Sequence, residues 1–555
     1  MIGFNFPTFT LQINLRESTL QSVKNFFEEK GAILISVILT TISVLAFMTY
    51  FQNGLGLAYN DARSHLDIGR RVVEGLKPGL AQLGSVWLPL PHALMIPTVW
   101  NDFMWHSGLA GALISMISFV GTGLIVYQFL KQFGVGLLGR LLGVLVFLAN
   151  INILYLQSTA MTELLLIFTM TAGTYELVMW HKEEKILSLI KAAFWIMMAS
   201  LVRYDGWFLL LFAAILIIFH TFKTKGYKVA EGTLIFFATL AGLGVFLWLL
   251  WNQLIFKDAL YFAFGPYSAR AQQVQLEQAG VLATKGNLLL SLKIYLYALI
   301  YNIGAFTTIL GVLGMIVFWV NRKIDQSVRI ATTALLTPVI FNILALYLGH
   351  SVLFVQGISG DTWFNVRYGV MMLPTIAIFA GYLVHKLIPL RATIIGLFIF
   401  VTFFAFASTD AVTIDDAMVG SSQKNVSEVS GWLNQNAKNQ PGFVLISVAS
   451  HDAIIFSSGL PMKRFIHEGT GRYWESATIA PDRWARWIVM RTNDLNDSTF
   501  KLVKQSGQLE KYELVESYPF ADVYQLKAEY LSGLNPAALQ LAGKPELLCP
   551  ATSCQ

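Results

Sequence analysis

Ionisable residues in this chain gather where apolar runs begin or end. Asp61 and His65 lie in Tyr59-Asn60-Asp61-Ala62-Arg63-Ser64-His65-Leu66-Asp67, and Glu163 ends Ser158-Thr159-Ala160-Met161-Thr162-Glu163. Arg203-Tyr204-Asp205-Gly206-Trp207 forms a third group, and Asp361 with Trp363-Phe364-Asn365-Val366-Arg367-Tyr368 a fourth. If the first stretch is helical, Asp61 and His65 share a face four residues apart, as do Arg63 and Asp67. Charges at a bilayer edge are costly and mark cavities or reaction sites. A carboxylate beside arginine and histidine suits general-base chemistry on a phosphorylated substrate. The carboxylate takes a proton from an attacking hydroxyl while guanidinium grips phosphate oxygens in bidentate fashion.

Each group also has a purely structural reading. Arg203 and Asp205 fit a turn salt bridge, and Glu163 fits an acid complementing a helix N-terminus. Arg367-Tyr368 fits a pair of interface anchors. Asp67, Arg70 and Arg71 read as a solvated helix face, and His92 and His106, set among Trp and Pro, as packed or interfacial. Asp61 is hardest to assign this way, because no capping pattern requires it.

The elements that position these residues are membrane spans. Of 555 residues, 55% are hydrophobic and 13% charged, about half the charge of a soluble protein. Apolar runs at 31–51, 107–130, 136–156, 161–180, 186–202, 206–222, 230–256, 304–320, 328–349, 367–385 and 389–408 make eleven spans. The Tyr-rich segment 286–303, interrupted by Lys293, is either a twelfth span or an interfacial helix. Eleven spans with a cytoplasmic N-terminus put every short basic loop inside, including Lys131 with Arg140, Lys182 with Lys185, and Arg322 with Lys323. A twelfth would move Arg322–Arg329 outside, so eleven is the count adopted.

This topology divides the chain into a cytoplasmic segment 1–30, a membrane module 31–408 with a long outer loop 52–106, and an outward-facing soluble domain 409–555. The reading is a multi-pass plasma membrane protein whose C-terminal domain is extracytoplasmic. Runs such as Gly442–Val448, Trp487–Met490 and Ala521–Leu526 predict strands of an α/β domain. Its Trp474, Trp484 and Trp487, with Arg472, Arg483 and Arg486, read either as an exposed glycan-contacting set or as packing. The net charge of +6 belongs to cytoplasmic loops rather than to a nucleic-acid footprint. The only cysteines, Cys549 and Cys554, sit in the tail and show no metal-ligand spacing.

Asp61-Ala62-Arg63-Ser64-His65 after the first span, Trp87-Leu88-Pro89-Leu90-Pro91-His92 later in that loop, Thr162-Glu163, and Arg367-Tyr368 before a span bearing Pro374 together resemble the GT-C glycosyltransferases. The nearest branch is that of the protein O-mannosyltransferases and the lipid A aminoarabinose transferase. The resemblance covers about residues 31–408 and departs at Ala62, where the branch carries a second acid, and at His65, where an aromatic often stands. It implies a polytopic α-helical GT-C-like module followed by a soluble α/β domain. It also implies inverting transfer of a mannose-like hexose from a polyprenyl-phosphate donor to a protein, lipid or glycan acceptor on the extracytoplasmic face. Asp61 would be the general base. Arg203 and Arg367, with His65, would hold the lipid phosphate, and Arg63, Glu163, Asp205 and Tyr368 would line the substrate site. Much of the branch is metal-independent, so no metal is assigned, although Asp61, Glu163 and Asp361 together would offer oxygen ligands for a divalent cation.

Two other functions fit the pattern less well. A transporter or flippase of lipid-linked sugars places polar residues near mid-span and shows paired halves, whereas the charges here sit at one edge and no repeat is visible. A sensor or assembly protein would use the soluble domain as its binding module.

Overall fold

The computed structural model describes residues 17–539, apart from 266–267, 279, 409–410 and 420–422. Both cysteines lie outside the described residues. Among the described residues, seven helices are long and apolar enough to cross a bilayer. They are Phe26–Gln52, Leu109–Gln132, Asp205–Lys225, Tyr227–Phe256, Gln326–Tyr347, Val366–Lys386 and one containing Arg391–Ser408. Shorter apolar helices Leu137–Leu148 and Ile186–Ser200 pack among them. The Glu163–Glu183 helix has the length to span, and most of its residues are buried inside the bundle.

Two apolar runs are broken, each for a local reason. In 136–156 the Asn150 side chain accepts from the Ile153 amide and caps a new helix, giving Leu137–Leu148 and Ile151–Leu156 instead of one span. Segment 286–303 is helical over Leu288–Ile303 and meets Ala305–Val320 at a bend of 108°. The hinge is Gly304, at φ 87° and ψ 139°, a conformation that costs a residue with a Cβ dearly. Other glycines permit close helix contact. A Cβ on Gly139 would stand 2.6 Å from the Gly381 carbonyl oxygen, and one on Gly381 would stand 2.5 Å from that of Gly139. Small residues at such crossings let helices pack without help from a hydrophobic drive.

The C-terminal domain is built on a five-stranded sheet, β1 (Phe443–Ile446), β2 (Phe465–Ile466), β3 (Ala485–Met490), β4 (Tyr512–Ser517) and β5 (Asp522–Leu526). The strand order is β2-β1-β3-β5-β4, with β1 parallel to β2 and β3, and β5 antiparallel to β3 and β4. The three runs predicted from sequence are β1, β3 and β5. β2 and β4 escape sequence reading because β2 has two residues and β4 is mostly exposed. Trp487 is fully buried in the sheet, with the Arg464 and Arg486 guanidiniums over its ring, so it is a core residue and not an exposed aromatic.

The domain rests on the first long loop. The helix Asn60–Val73 packs against Val448–Ser458, where Arg71 Nη1 meets Asp452 Oδ1 at 2.8 Å and Arg63 Nη1 donates to Ser457 Oγ at 3.0 Å. Gln82 Nε2 donates to the Gly469 carbonyl at 2.7 Å, and Trp105 meets Phe456 edge to face. Asp67, Arg70 and Arg71 are therefore buried, not solvated. Arg70 pairs with Glu74 and with Asp102 and lies over the Trp105 ring. The sequence shows a polar helix face, but Arg71 finds its partner almost 400 residues away, in Asp452, and Arg70 finds Asp102 and Trp105 later in the same loop.

Candidate active site

Four segments converge at one end of the bundle. The helix Asn60–Val73 carries Asp61 in its first turn and Arg70 and Arg71 in its last, the arrangement its dipole favours. Glu163 opens the central helix Glu163–Glu183. Arg203 stands in the turn before Asp205–Lys225, and Gly206 lets that turn press onto its neighbour: a Cβ there would lie 2.3 Å from the Ala199 backbone. Arg367 sits in the 3-10 turn Val366–Met372. Asn365 precedes it at φ 54°, tied down by its Nδ2 donating to the Val352 carbonyl.

Arg367 joins these segments. Its Nη2 donates to Asp61 Oδ2 at 2.7 Å and its Nε to Glu163 Oε1 at 3.0 Å. Arg203 Nη1 reaches the same Glu163 oxygen at 3.3 Å, and its Nε reaches Asp205 Oδ2 at 3.4 Å. Both guanidiniums lie over the Tyr368 ring, with carbon-to-centroid distances of 4.7 Å for Arg203 and 5.3 Å for Arg367. Arg367 also covers Tyr59 at 4.8 Å. Arg367 is 5% exposed, so it is a buried ion-pair centre and does not reach out to an interface. The Asp61 side chain is 44% exposed and Arg203 22%, whereas Glu163 is fully buried. The cluster thus has an open edge at Asp61 and a closed floor at Glu163.

One member escaped the sequence reading. Asp416, in the short helix Val412–Val419 after the last span, places Oδ2 3.6 Å from Arg367 Nη1 and accepts from the Tyr59 hydroxyl at 3.1 Å. Tyr59 also donates to the Thr413 carbonyl at 2.8 Å, and Thr413 donates to Asn152 Oδ1 through both its amide and its hydroxyl. The only available signal was the acidic pair Asp415-Asp416 soon after an apolar run. Asp61, Glu163, Asp205 and Asp416 thus face Arg203 and Arg367, four carboxylates to two guanidiniums, a formal balance of −2.

Of the predicted site residues, Asp61, Glu163, Arg203, Asp205, Arg367 and Tyr368 come together. Arg63 does not: its Nε donates to the Leu57 carbonyl at 2.9 Å and its Nη1 to the soluble domain. His65 lies one turn beyond Asp61, but its Nδ1 is engaged with His92 Nε2 at 2.8 Å. Burial, reinforced by Arg203 and Arg367, pulls the His65 pKa down to about 3, so it brings no positive charge to an anion. Asp361 lies in an exposed loop. Among the described residues, no group of three or more His, Cys, Asp or Glu side chains is arranged to hold a metal ion. Asp61 and Glu163 are turned to the arginines, and Asp361 stands apart in its loop.

Comparison with known proteins places this architecture. No protein-family model matches the chain, and no curated protein matches it by sequence. ArnT from Cupriavidus metallidurans, in its structure bound to undecaprenyl phosphate, superposes with a TM-score of 0.50. That match has 10% identity and covers 88% of this chain and 98% of that one. The archaeal oligosaccharyltransferase AglB from Archaeoglobus fulgidus, in complex with an inhibitory peptide and a dolichol-phosphate, gives a TM-score of 0.47 at 12% identity over 84% of this chain and 70% of that one. At this identity the likeness is one of fold: over 88% of its length this chain shares the architecture of ArnT.

Proposed function

We propose that the protein is a membrane glycosyltransferase that moves a hexose from a polyprenyl-phosphate donor to an acceptor hydroxyl on the extracytoplasmic face, with inversion. The observation that carries this reading is the shared network of Asp61, Glu163, Arg203 and Arg367 at one end of a GT-C bundle. The ArnT structure with undecaprenyl phosphate supports the donor class. In this reading the membrane module is 31–408, the soluble domain 409–555 faces outward, and the lipid tail stays in hydrocarbon.

Asp61, the most exposed acid of the network, takes the acceptor proton. The acceptor oxygen then attacks the anomeric carbon as the bond from that carbon to the phosphate oxygen breaks. The lipid phosphate leaves with the negative charge, which Arg203 and Arg367 stabilise. Arg367 releases Asp61 as it takes up phosphate, so donor binding frees the base. Glu163 remains beneath as the fixed counter-charge that aims both guanidiniums, and Tyr368 provides the face on which they rest.

The test uses protein reconstituted in nanodiscs with undecaprenyl phosphate as the probe. Arg203→Met and Arg367→Met should each weaken binding at least tenfold, while Asp61→Asn, which spares Arg367 the release of that carboxylate, should bind at least as tightly as wild type and abolish transfer from undecaprenyl-phosphate mannose. Transfer retained by Asp61→Asn would remove the proposed base, and unchanged binding in both arginine variants would remove the donor class.

A further inference from the structure

The His65–His92 pair has a direction. The two rings meet at 2.8 Å through His65 Nδ1 and His92 Nε2, and both residues are buried, at 5% and 0% exposed. Trp87 lies against both imidazoles, with centroids 4.3 Å from His65 and 6.4 Å from His92. Only one nitrogen of the pair carries the shared proton, and its identity decides what the outer nitrogen of each ring presents.

The asymmetry lies at His92. Its Nδ1 is buried with no hydrogen-bond partner of ordinary geometry, and the Leu88 carbonyl is the acceptor that acts on this ring. A proton on Nδ1 points at that carbonyl, while a bare Nδ1 would set lone pair against lone pair in a site closed to water, a costly arrangement. With Nδ1 protonated and the ring neutral, His92 Nε2 is the acceptor, and His65 Nδ1–H must be the donor. His65 Nε2 is then left without a proton. Among the described residues it meets no protein donor.

His65 follows Asp61 by one helical turn on the same face, so the two side chains are neighbours, about 5–6 Å apart at Cβ. Arg203 and Arg367 lie close enough for their charges to act on the ring. Both guanidiniums disfavour an added proton on the ring, which keeps it neutral.

We propose that His65 Nε2 is a hydrogen-bond acceptor for a ring hydroxyl of the transferred sugar, and that His92 is the positioning residue that fixes this tautomer. The proposal rests on the glycosyltransferase reading and replaces the phosphate role expected for His65. A neutral acceptor repels phosphate oxygens and attracts hydroxyls, so the ligand is a polyol beside the phosphate.

Two measurements test it. In protein labelled with 15N-histidine, the His65 signal, assigned by its loss in His65→Asn, should show Nδ1 protonated and Nε2 bare. In His92→Leu that preference should disappear. A protonated Nε2 in wild type, or an unchanged tautomer in His92→Leu, overturns the proposal.

The second measurement compares binding of undecaprenyl phosphate with that of undecaprenyl-phosphate mannose and undecaprenyl-phosphate glucose in nanodiscs. Asn keeps an amide near the position of Nδ1, and hence the link to His92, but removes the Nε2 acceptor. Gln extends to the Nε2 position. His65→Asn should lose about threefold to tenfold in affinity for at least one glycosylated lipid, the range of one hydrogen bond, with undecaprenyl phosphate unaffected, and His65→Gln should recover part of the loss. Equal weakening toward glycosylated and bare lipid would assign His65 to the phosphate and overturn the inference. If wild type binds none of the three lipids, the donor reading itself fails and takes the sugar contact with it, while the nitrogen signals still report the tautomer.

Discussion

Arg367 and Asp61 are 306 residues apart in sequence and 2.7 Å apart in the structure, and the same guanidinium holds Glu163 through its Nε. One arginine thus ties the first long loop, the central helix and the 3-10 turn before the Pro374-bearing helix into a single unit. Removing it leaves a fully buried Glu163 with Arg203 as its remaining cation.

The first prediction follows from that geometry. Removing one partner of a buried ion pair costs about 3–5 kcal/mol, because the other charge stays buried and uncompensated. Arg367→Met should therefore lower stability by roughly that amount, read as a fall in the melting temperature of detergent-solubilised protein. Adding Glu163→Gln should restore part of the loss, since the orphaned charge is gone. A double variant no more stable than Arg367→Met would show that the cost lies in packing instead.

A second prediction concerns Asp416. Its carboxylate faces Arg367 Nη1 at 3.6 Å in a site already two negative charges in excess. A phosphate that approaches Arg367 must displace or tolerate that carboxylate. Asp416→Asn keeps an acceptor for the Tyr59 hydroxyl and removes a buried like charge, so affinity for undecaprenyl phosphate should rise about threefold to tenfold. Weaker binding in that variant would mean that Asp416 steers Arg367 and does not compete for it.

How much of this was legible in the sequence depends on the residue. Asp61, Glu163, Arg203, Asp205 and Arg367 are visible because a charge beside an apolar run is rare, and loop charges place them at the same end. Asp416 is not visible in that way. The helix Val412–Val419 follows the last span, and only the chain's return onto Tyr59 and Asn152 carries it to Arg367. His92 looks like ordinary packing among prolines and tryptophans, and it is packed; what the sequence cannot carry is that its neighbour is His65. Arg63 fails for the opposite reason. Its position beside Asp61 is correct, but i and i+2 lie on different helix faces, and it turns to Leu57 and Ser457. The helix at Asp67, Arg70 and Arg71 reads as solvated because its partners are distant in sequence, Asp102 and Trp105 later in the loop and Asp452 in the downstream domain.

A third prediction addresses a glycine that shapes the site. Gly369 follows Arg367 and Tyr368 in the same 3-10 turn, and a Cβ there would stand 2.3 Å from the Ala298 carbonyl oxygen. The obstacle is backbone, so it cannot rotate away. Gly369→Ala should cost about 1–3 kcal/mol through overpacking and weaken undecaprenyl phosphate binding as well, because the turn aims Arg367. Gly396→Ala, inside the last long helix with nothing within 4 Å of the added methyl, is the control and should lower neither.

The last prediction is a pH dependence at the junction between the first loop and the soluble domain. Asp67 and Asp452 are both buried, and burial raises both carboxyl pKa values, with their mutual proximity adding to the rise at Asp67 and Arg71 opposing it at both. Trp105 Nε1 donates to Asp67 Oδ1 at 3.1 Å, while Asp67 Oδ2 is buried with no hydrogen-bond donor and is where a proton shared with Asp452 would sit. In the unfolded chain an aspartate titrates near about 3.9. The folded protein therefore binds the extra proton in the window above that value and below the raised one. Stability from this pair is fully present below the unfolded pKa and is lost as pH rises through the folded one, at up to about 1.4 kcal/mol per pH unit for one proton. Asp67→Asn keeps an acceptor for Trp105 and supplies a permanent donor to Asp452. Its melting temperature should fall less than that of wild type between pH 5 and 8, chosen to cover about three units above the unfolded value, and should exceed wild type at the alkaline end. Parallel curves for the two proteins would show that the pair carries no shared proton and that Arg71 alone neutralises the junction.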